Sequence, residues 1–83
     1  MNGEWQPELR ALRYFVSVAE EKSFTRAANR LRIAQPALSR QIKRLEEDLK
    51  VQLFTRTVRG ADLTEAGEIL LRRAYLMFNQ LQQ

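Results

Sequence analysis

The sequence predicts a small, mainly α-helical domain with one short β-hairpin, closed by a long C-terminal helix. Three observations carry this expectation. Apolar residues recur at intervals of three and four through four separate stretches, as in helices buried on one face. Between residues 51 and 63 that period gives way to alternation around a glycine-bearing turn. With 83 residues, the chain has enough material for one modest core and little margin beyond it.

Taken in order, residues 1–6 read as an unstructured lead. Pro7 suits the first turn of a helix, where its missing N–H costs nothing. Leu9, Leu12, Phe15, Val16 and Ala19 then repeat at helical spacing to about Glu21, with Glu8 and Lys22 placed as the helix dipole favours. Ser23 or Thr25 can cap a second helix, whose buried stripe is Phe24, Ala27, Ala28 and Leu31. The two alanines let another helix approach closely. Residues 32–34 break the pattern. Pro36 restarts it as the first residue of a third helix with Gln35 as its cap; Leu38, Ile42, Leu45 and Leu49 form the buried stripe. Its opposite side carries Pro36, Arg40, Lys43 and Glu47, flanked by Ser39 and Arg44. Residues 51–56 and 61–63 form the hairpin, or wing, around the turn at 57–60. Arg56 and Arg59 lie at or near its tip.

Thr64 can cap the last helix, with Glu65 and Glu68 in its first turn. From residue 65 to 83 it spans roughly 28 Å at 1.5 Å per residue. One stripe runs Ala66, Leu70, Ala74, Met77, Leu81; a second runs Leu71, Tyr75, Phe78. A domain this small rarely covers two stripes, so one is expected on the domain and the other on a partner helix.

Charge locates the function. From Lys22 to Arg44 there are seven basic residues and no acidic one, in a chain whose total is +4. The remainder is therefore net acidic, and the basicity sits on the second and third helices. A basic helix–turn–helix of this kind suits the phosphate rails and major groove of duplex DNA. The plainer reading is a solvated charged face, and the helix–turn–helix pattern is what outweighs it. Arg40 has the strongest claim to a base, because guanidinium can bond O6 and N7 of guanine together. The chain has neither histidine nor cysteine, which removes the commonest general base, the triad chemistries, disulfides and thiolate metal sites. Glu46, Glu47 and Asp48 are sequence neighbours that diverge around a helix, so they read as a solvated helix end, not a metal site. No cofactor, metal or catalytic role is expected. No membrane span or signal peptide is visible, and a cytoplasmic location follows by default.

Residues 12–15 (LRYF), 23–28 (SFTRAA), 34–42 (AQPALSRQI), 45–49 (LEEDL), 53–56 (LFTR) and 63–67 (LTEAG) together resemble the DNA-binding domain of LysR-type transcriptional regulators. The resemblance runs from about Leu9 to Gln83, with several motifs in order and spacing. It implies a winged helix–turn–helix over residues 7–64 (helix–turn–helix about 24–43, wing about 51–63) and a dimerisation linker helix over 65–83. It implies sequence-specific binding of an interrupted, partly palindromic double-stranded operator by a homodimer, with higher oligomers in full-length proteins. On the family pattern, Gln35, Pro36, Ser39 and Arg40 face base edges, Arg59 reaches the minor groove, and Thr25, Lys43 and Arg56 bind phosphates. Leu70, Ala74, Met77, Phe78 and Leu81 are the expected dimer interface.

Two departures stand out. Many members carry glycine where this chain has Lys50, which must adopt a left-handed conformation or end the helix differently. The family's effector-binding domain, through which a small-molecule effector acts, is absent from the sequence, which reads as either an excised domain or a natural short form, the ending within a helical pattern favouring excision. The rival from another class is a winged helix that mediates assembly without DNA. Salt-dependent binding to duplex DNA separates the two.

Overall fold

The computed structural model describes residues 8–82, with side chains as far as Gln80. The expectations for residues 1–6, for Pro7 and for the Leu81 side chain lie outside the described residues. The elements are α1 (Leu9–Glu21), α2 (Phe24–Leu31), α3 (Gln35–Leu49), β1 (Phe54–Thr57), β2 (Gly60–Leu63) and α4 (Glu65–Gln82). This is a winged helix–turn–helix followed by a long helix.

α1 is the hub, packing on α2, α3, β2 and α4. Leu12, Phe15, Val16, Val18 and Ala19 are all buried along it. Val18 lies outside the single stripe expected, because a helix covered from several sides buries more than one face. Leu9, placed in that stripe, is exposed instead, as the first residue of the helix. Phe24, Ala27 and Ala28 of α2 and Leu38, Ile42 and Leu45 of α3 complete the helical core. Phe54 ties the wing to it, with ring centroids 5.3 Å from Phe15 and 5.6 Å from Phe24, in tilted and edge-on arrangements that aromatic quadrupoles favour.

Three helix ends are closed by basic residues in the left-handed region: Lys22 at φ 56°, Arg32 at φ 60° and Lys50 at φ 59°. At Lys50, the Val51 and Lys50 amides return to the carbonyls of Glu46 (3.2 Å) and Glu47 (3.3 Å). The helix-ending geometry that glycine favours is thus built on lysine. Ser23, not Thr25, caps α2, its Oγ accepting the Arg26 amide at 3.1 Å. The expected cap of α3 is corrected. Ala34 is the cap residue, its carbonyl accepting the Ala37 and Leu38 amides at 3.1 Å. Gln35 and Pro36 are therefore the first two helical residues.

The first strand starts later than expected, at Phe54. The Leu53 and Phe54 amides are taken by the Glu46 carboxylate at 2.7 and 3.3 Å, which holds the 51–53 connection against α3 and leaves Val51 exposed. Glu46 is therefore no solvated helix end. β1 and β2 pair antiparallel from Phe54↔Leu63 to Thr57↔Gly60, leaving Val58 and Arg59 as a two-residue turn. The wing is fastened to the end of α1 near its turn, where the Ala61 amide donates to the Lys22 carbonyl at 3.0 Å. Gly60, at φ 137°, passes so close that an added Cβ would lie 2.2 Å from the same oxygen.

Thr64 receives the Gly67 amide at 3.1 Å and donates its hydroxyl to the Gln52 carbonyl, so it caps α4 as expected. The domain covers members of both apolar stripes. Ala74 is 1% exposed, and Leu70, Leu71 and Phe78 are partly buried against the core. These residues flank one line down the helix, so the division into one covered and one free stripe does not hold. Among the described residues of α4, the large apolar side chains left exposed are Ile69, Tyr75, Leu76 and Met77, at 42, 40, 65 and 36% exposure.

Candidate nucleic-acid interface

α2 and α3 meet at a short turn because Arg32 reverses the chain in the left-handed region and the Ile33 amide returns to the Ala28 carbonyl at 3.0 Å. With Leu38, Ile42 and Leu45 turned into the core, the other side of α3 faces outward. Gln35, Pro36, Arg40, Lys43 and Arg44 are exposed there and Ser39 is half-buried. Thr25, at the start of α2, sits beside this face, its hydroxyl donating to Gln35 Oε1 at 3.5 Å. Six of the eight residues singled out for DNA contact are thereby brought together: Thr25, Gln35, Pro36, Ser39, Arg40 and Lys43.

Arg56 joins them from β1. Its guanidinium lies 3.7 Å over the Phe24 ring and donates from Nη2 to Ser39 Oγ at 2.8 Å. Arg59 stands apart at the wing tip, exposed, its amide bonded to Thr57 Oγ1 at 3.2 Å. Val58 beside it is fully exposed. Between α3 and the wing runs a groove of about 360 Å³ bordered by Ser39, Lys43, Glu46 and Arg56.

The seven cations of the basic stretch do not all serve this surface. Arg30 pairs with Glu20 at 2.9 Å and with Glu21 at 3.4 Å, and Arg26 with Glu21 at 3.7 Å. These are solvated pairs of small energetic weight, but they neutralise the side of α2 away from the turn. Arg40, Lys43 and Arg44 of the same stretch stand exposed on the α3 face instead. Sequence distance hid this, since the partners lie on a different helix. Tyr75 of α4 joins the cluster by donating its hydroxyl to Glu20. That bond, and after it Arg30, holds the Glu20 carboxyl below its ordinary value of 4.5, against the opposing effect of burial. The Tyr75 hydroxyl is pushed above 10.0 by the same carboxylate.

The interface residues expected on α4 are distributed unevenly. Met77 is exposed, Leu70 and Phe78 are partly covered, with Arg13 stacked 4.7 Å from the Phe78 ring, and Ala74 is enclosed by its own domain. Ile69 and Leu76, absent from the expectation, are the exposed pair. Their spacing of seven residues is the signal that could have found them.

Residues 9–68 match the bacterial regulatory helix-turn-helix proteins of the lysR family. The chain is 66% identical over 61 residues to the transcriptional regulator BudR of Klebsiella aerogenes, spanning 74% of this chain and 43% of that protein. It is 50% identical over 76 residues to the regulator BenM of Acinetobacter baylyi, spanning 92% of this chain and 25% of BenM. The chain thus corresponds to less than half the length of these relatives. Among solved structures, the BenM DNA-binding domain in complex with catB site 1 DNA superposes with a TM-score of 0.88 at 49% identity, covering 93% of this chain and 86% of that one. The matched span, the identities and the shared winged helix–turn–helix agree: the chain belongs to the lysR family of bacterial transcriptional regulators.

Proposed function

We propose that this chain binds double-stranded DNA in a sequence-dependent way, as a homodimer on an interrupted, partly palindromic operator. The observation that carries it is the outward face of α3, where exposed Gln35, Pro36 and the cations Arg40 and Lys43 cluster about half-buried Ser39, with the wing cation Arg59 beyond them. Gln35, Pro36, Ser39 and Arg40 read base edges in the major groove, and Arg59 enters the neighbouring minor groove. Thr25, Lys43 and Arg56 hold phosphates, which supply most of the affinity and its salt dependence. The similarity to proteins solved on DNA supports this reading.

Ile69, Leu76 and Met77 support pairing of the homodimer through α4, because they are apolar and exposed among the described residues. Higher assembly and response to a small-molecule effector belong to the effector domain that such regulators carry. None of the described helices is long and apolar enough to cross a membrane, and a chain that reads operators shares the compartment of the DNA, the bacterial cytoplasm.

Selection of bound sequences from a random duplex pool tests the reading. Two half-sites at fixed spacing are expected. A selected pool without sequence preference would overturn it, and a single half-site would overturn the dimer. Against the selected operator, Arg40→Ala is expected to cost about 1–3 kcal/mol and relax one position. Lys43→Ala is expected to weaken all sequences evenly and lower the salt slope by about one.

A further inference from the structure

We propose that Arg56 is a positioning residue for base readout, fixing the Ser39 hydroxyl as a hydrogen-bond donor aimed at an acceptor edge in the major groove. This rests on the DNA-binding reading above and adds to the phosphate contact assigned to Arg56 there.

A serine hydroxyl has one hydrogen to donate and two lone pairs, and it rotates to suit its neighbours. On an exposed helix face it therefore carries little base preference. Here the rotor is restrained. Arg56 Nη2 donates to Ser39 Oγ at 2.8 Å, so one lone pair is engaged by a permanent cation. The cation also repels the hydroxyl hydrogen, which turns to the far side of the oxygen. Among the described residues no protein group accepts that hydrogen. Ser39 is half-buried on the outward side of α3 beside exposed Gln35, Pro36 and Arg40, so the hydrogen is available to whatever occupies the groove. The major-groove acceptors are N7 and O6 of guanine, N7 of adenine and O4 of thymine.

Arg56 is itself held firmly enough to do this. Its Cζ lies 3.7 Å from the Phe24 ring centroid, and Phe24 packs edge-to-face with Phe54. Phe54 is the first residue of β1, the strand that carries Arg56. Stacking on an aromatic face and a planar fork of donors are properties of arginine that lysine does not share. The wing thus reaches back to set one hydrogen-bond polarity on the recognition helix.

The test is a double-mutant cycle on operator recognition with Ser39→Ala, Arg56→Lys and the double variant. Binding is measured at fixed salt to the selected operator and to its single-base variants. Ser39→Ala is expected to flatten the preference at one position of each half-site by about three- to tenfold, the worth of one hydrogen bond. Arg56→Lys, which keeps the charge, is expected to flatten the same position, and the double variant to add nothing there. An even loss across all base variants, flattening at a different position, or an intact preference in Arg56→Lys would each overturn the proposal. Thermal melts accompany each variant. If lysine at 56 melts the domain, Arg56→Met keeps the stem over Phe24, removes the donor and is read by the same criteria. A wild-type chain that selects no sequence at all overturns the DNA-binding reading itself, an outcome distinct from any of these.

Discussion

Lys50 shows what one backbone angle can decide. An L-residue in the left-handed region carries about 1–2 kcal/mol of strain, because Cβ crowds the following carbonyl oxygen. Lys22, Arg32 and Lys50 all accept it. What offsets it is local: the returning amide bonds satisfy helix-end carbonyls, and a cation sits at the negative end of the helix dipole. Lys50→Gly relieves the strain but frees the unfolded chain, so a net gain of about 0.5–1 kcal/mol is expected. A calorimetric or circular-dichroism melt should show the midpoint rise by a few degrees; a fall would mean that the cation at the helix end outweighs the strain. At Lys22 and Arg32 none of this conformation is visible in the letters, and at Lys50 only the glycine of the family pattern pointed to it. The buried identities were visible, because Phe15, Ala27, Leu38 and Ile42 declare themselves by period alone. Side-chain partnerships such as Arg56 with Ser39 were not, since seventeen positions separate them.

At the scale of elements, the wing's position depends on one close approach. Gly60 leaves no room for a side chain against the Lys22 carbonyl and holds φ 137°, where other residues are strained. Gly60→Ala is expected to cost about 1–3 kcal/mol and to shift the wing from its seat, read as a lower melting point and as chemical-shift changes reaching Ala61 and Lys22. The boundary error at β1 has the same long-range origin. The alternation of Val51 and Leu53 with polar residues is not kept in burial, since Val51 is exposed while Leu53 and Phe54 are both buried; Glu46 captures the Leu53 and Phe54 amides from another element, and a local window cannot see that. α4 is joined to α1 by Tyr75 on Glu20, and this joint is pH-dependent in a definite direction. The folded Glu20 carboxyl lies below its ordinary 4.5, so its contribution is complete above that pH and is lost as pH falls through the folded value. The Tyr75 hydroxyl lies above 10.0, so its contribution is complete below that pH and is lost as pH rises through the folded value. Tyr75→Phe is expected to flatten both limbs of a stability-versus-pH profile measured by denaturant midpoint. Retention of the acid limb would assign it to other carboxylates.

For the whole molecule, the face proposed for DNA and the face proposed for a partner helix lie on different elements. Arg40, Lys43, Arg44, Arg56 and Arg59 stand exposed on α3 and the wing, whereas Ile69, Tyr75, Leu76 and Met77 are exposed on α4. The sequence showed that division in outline, as a local basic block followed by an over-apolar helix. It could not apportion the α4 residues, because whether Ala74 or Leu76 faces out depends on the angle at which α4 docks on α1. That docking leaves Ile69, Leu76 and Met77 exposed, the face proposed above to receive a second copy. Leu76→Glu tests this at low risk to the fold, since Leu76 is 65% exposed in the single chain. Its melting behaviour at low protein concentration is expected to stay near that of wild type, while sedimentation equilibrium shifts from dimer to monomer. Operator affinity is expected to fall by about a hundredfold or more, because the second half-site is no longer delivered at high effective concentration. A monomer also neutralises half as many phosphates, so the slope of log K against log salt is expected to drop to about half. A variant that stays dimeric, or one that turns monomeric with its salt slope intact, would separate the apolar face of α4 from the DNA-bound assembly.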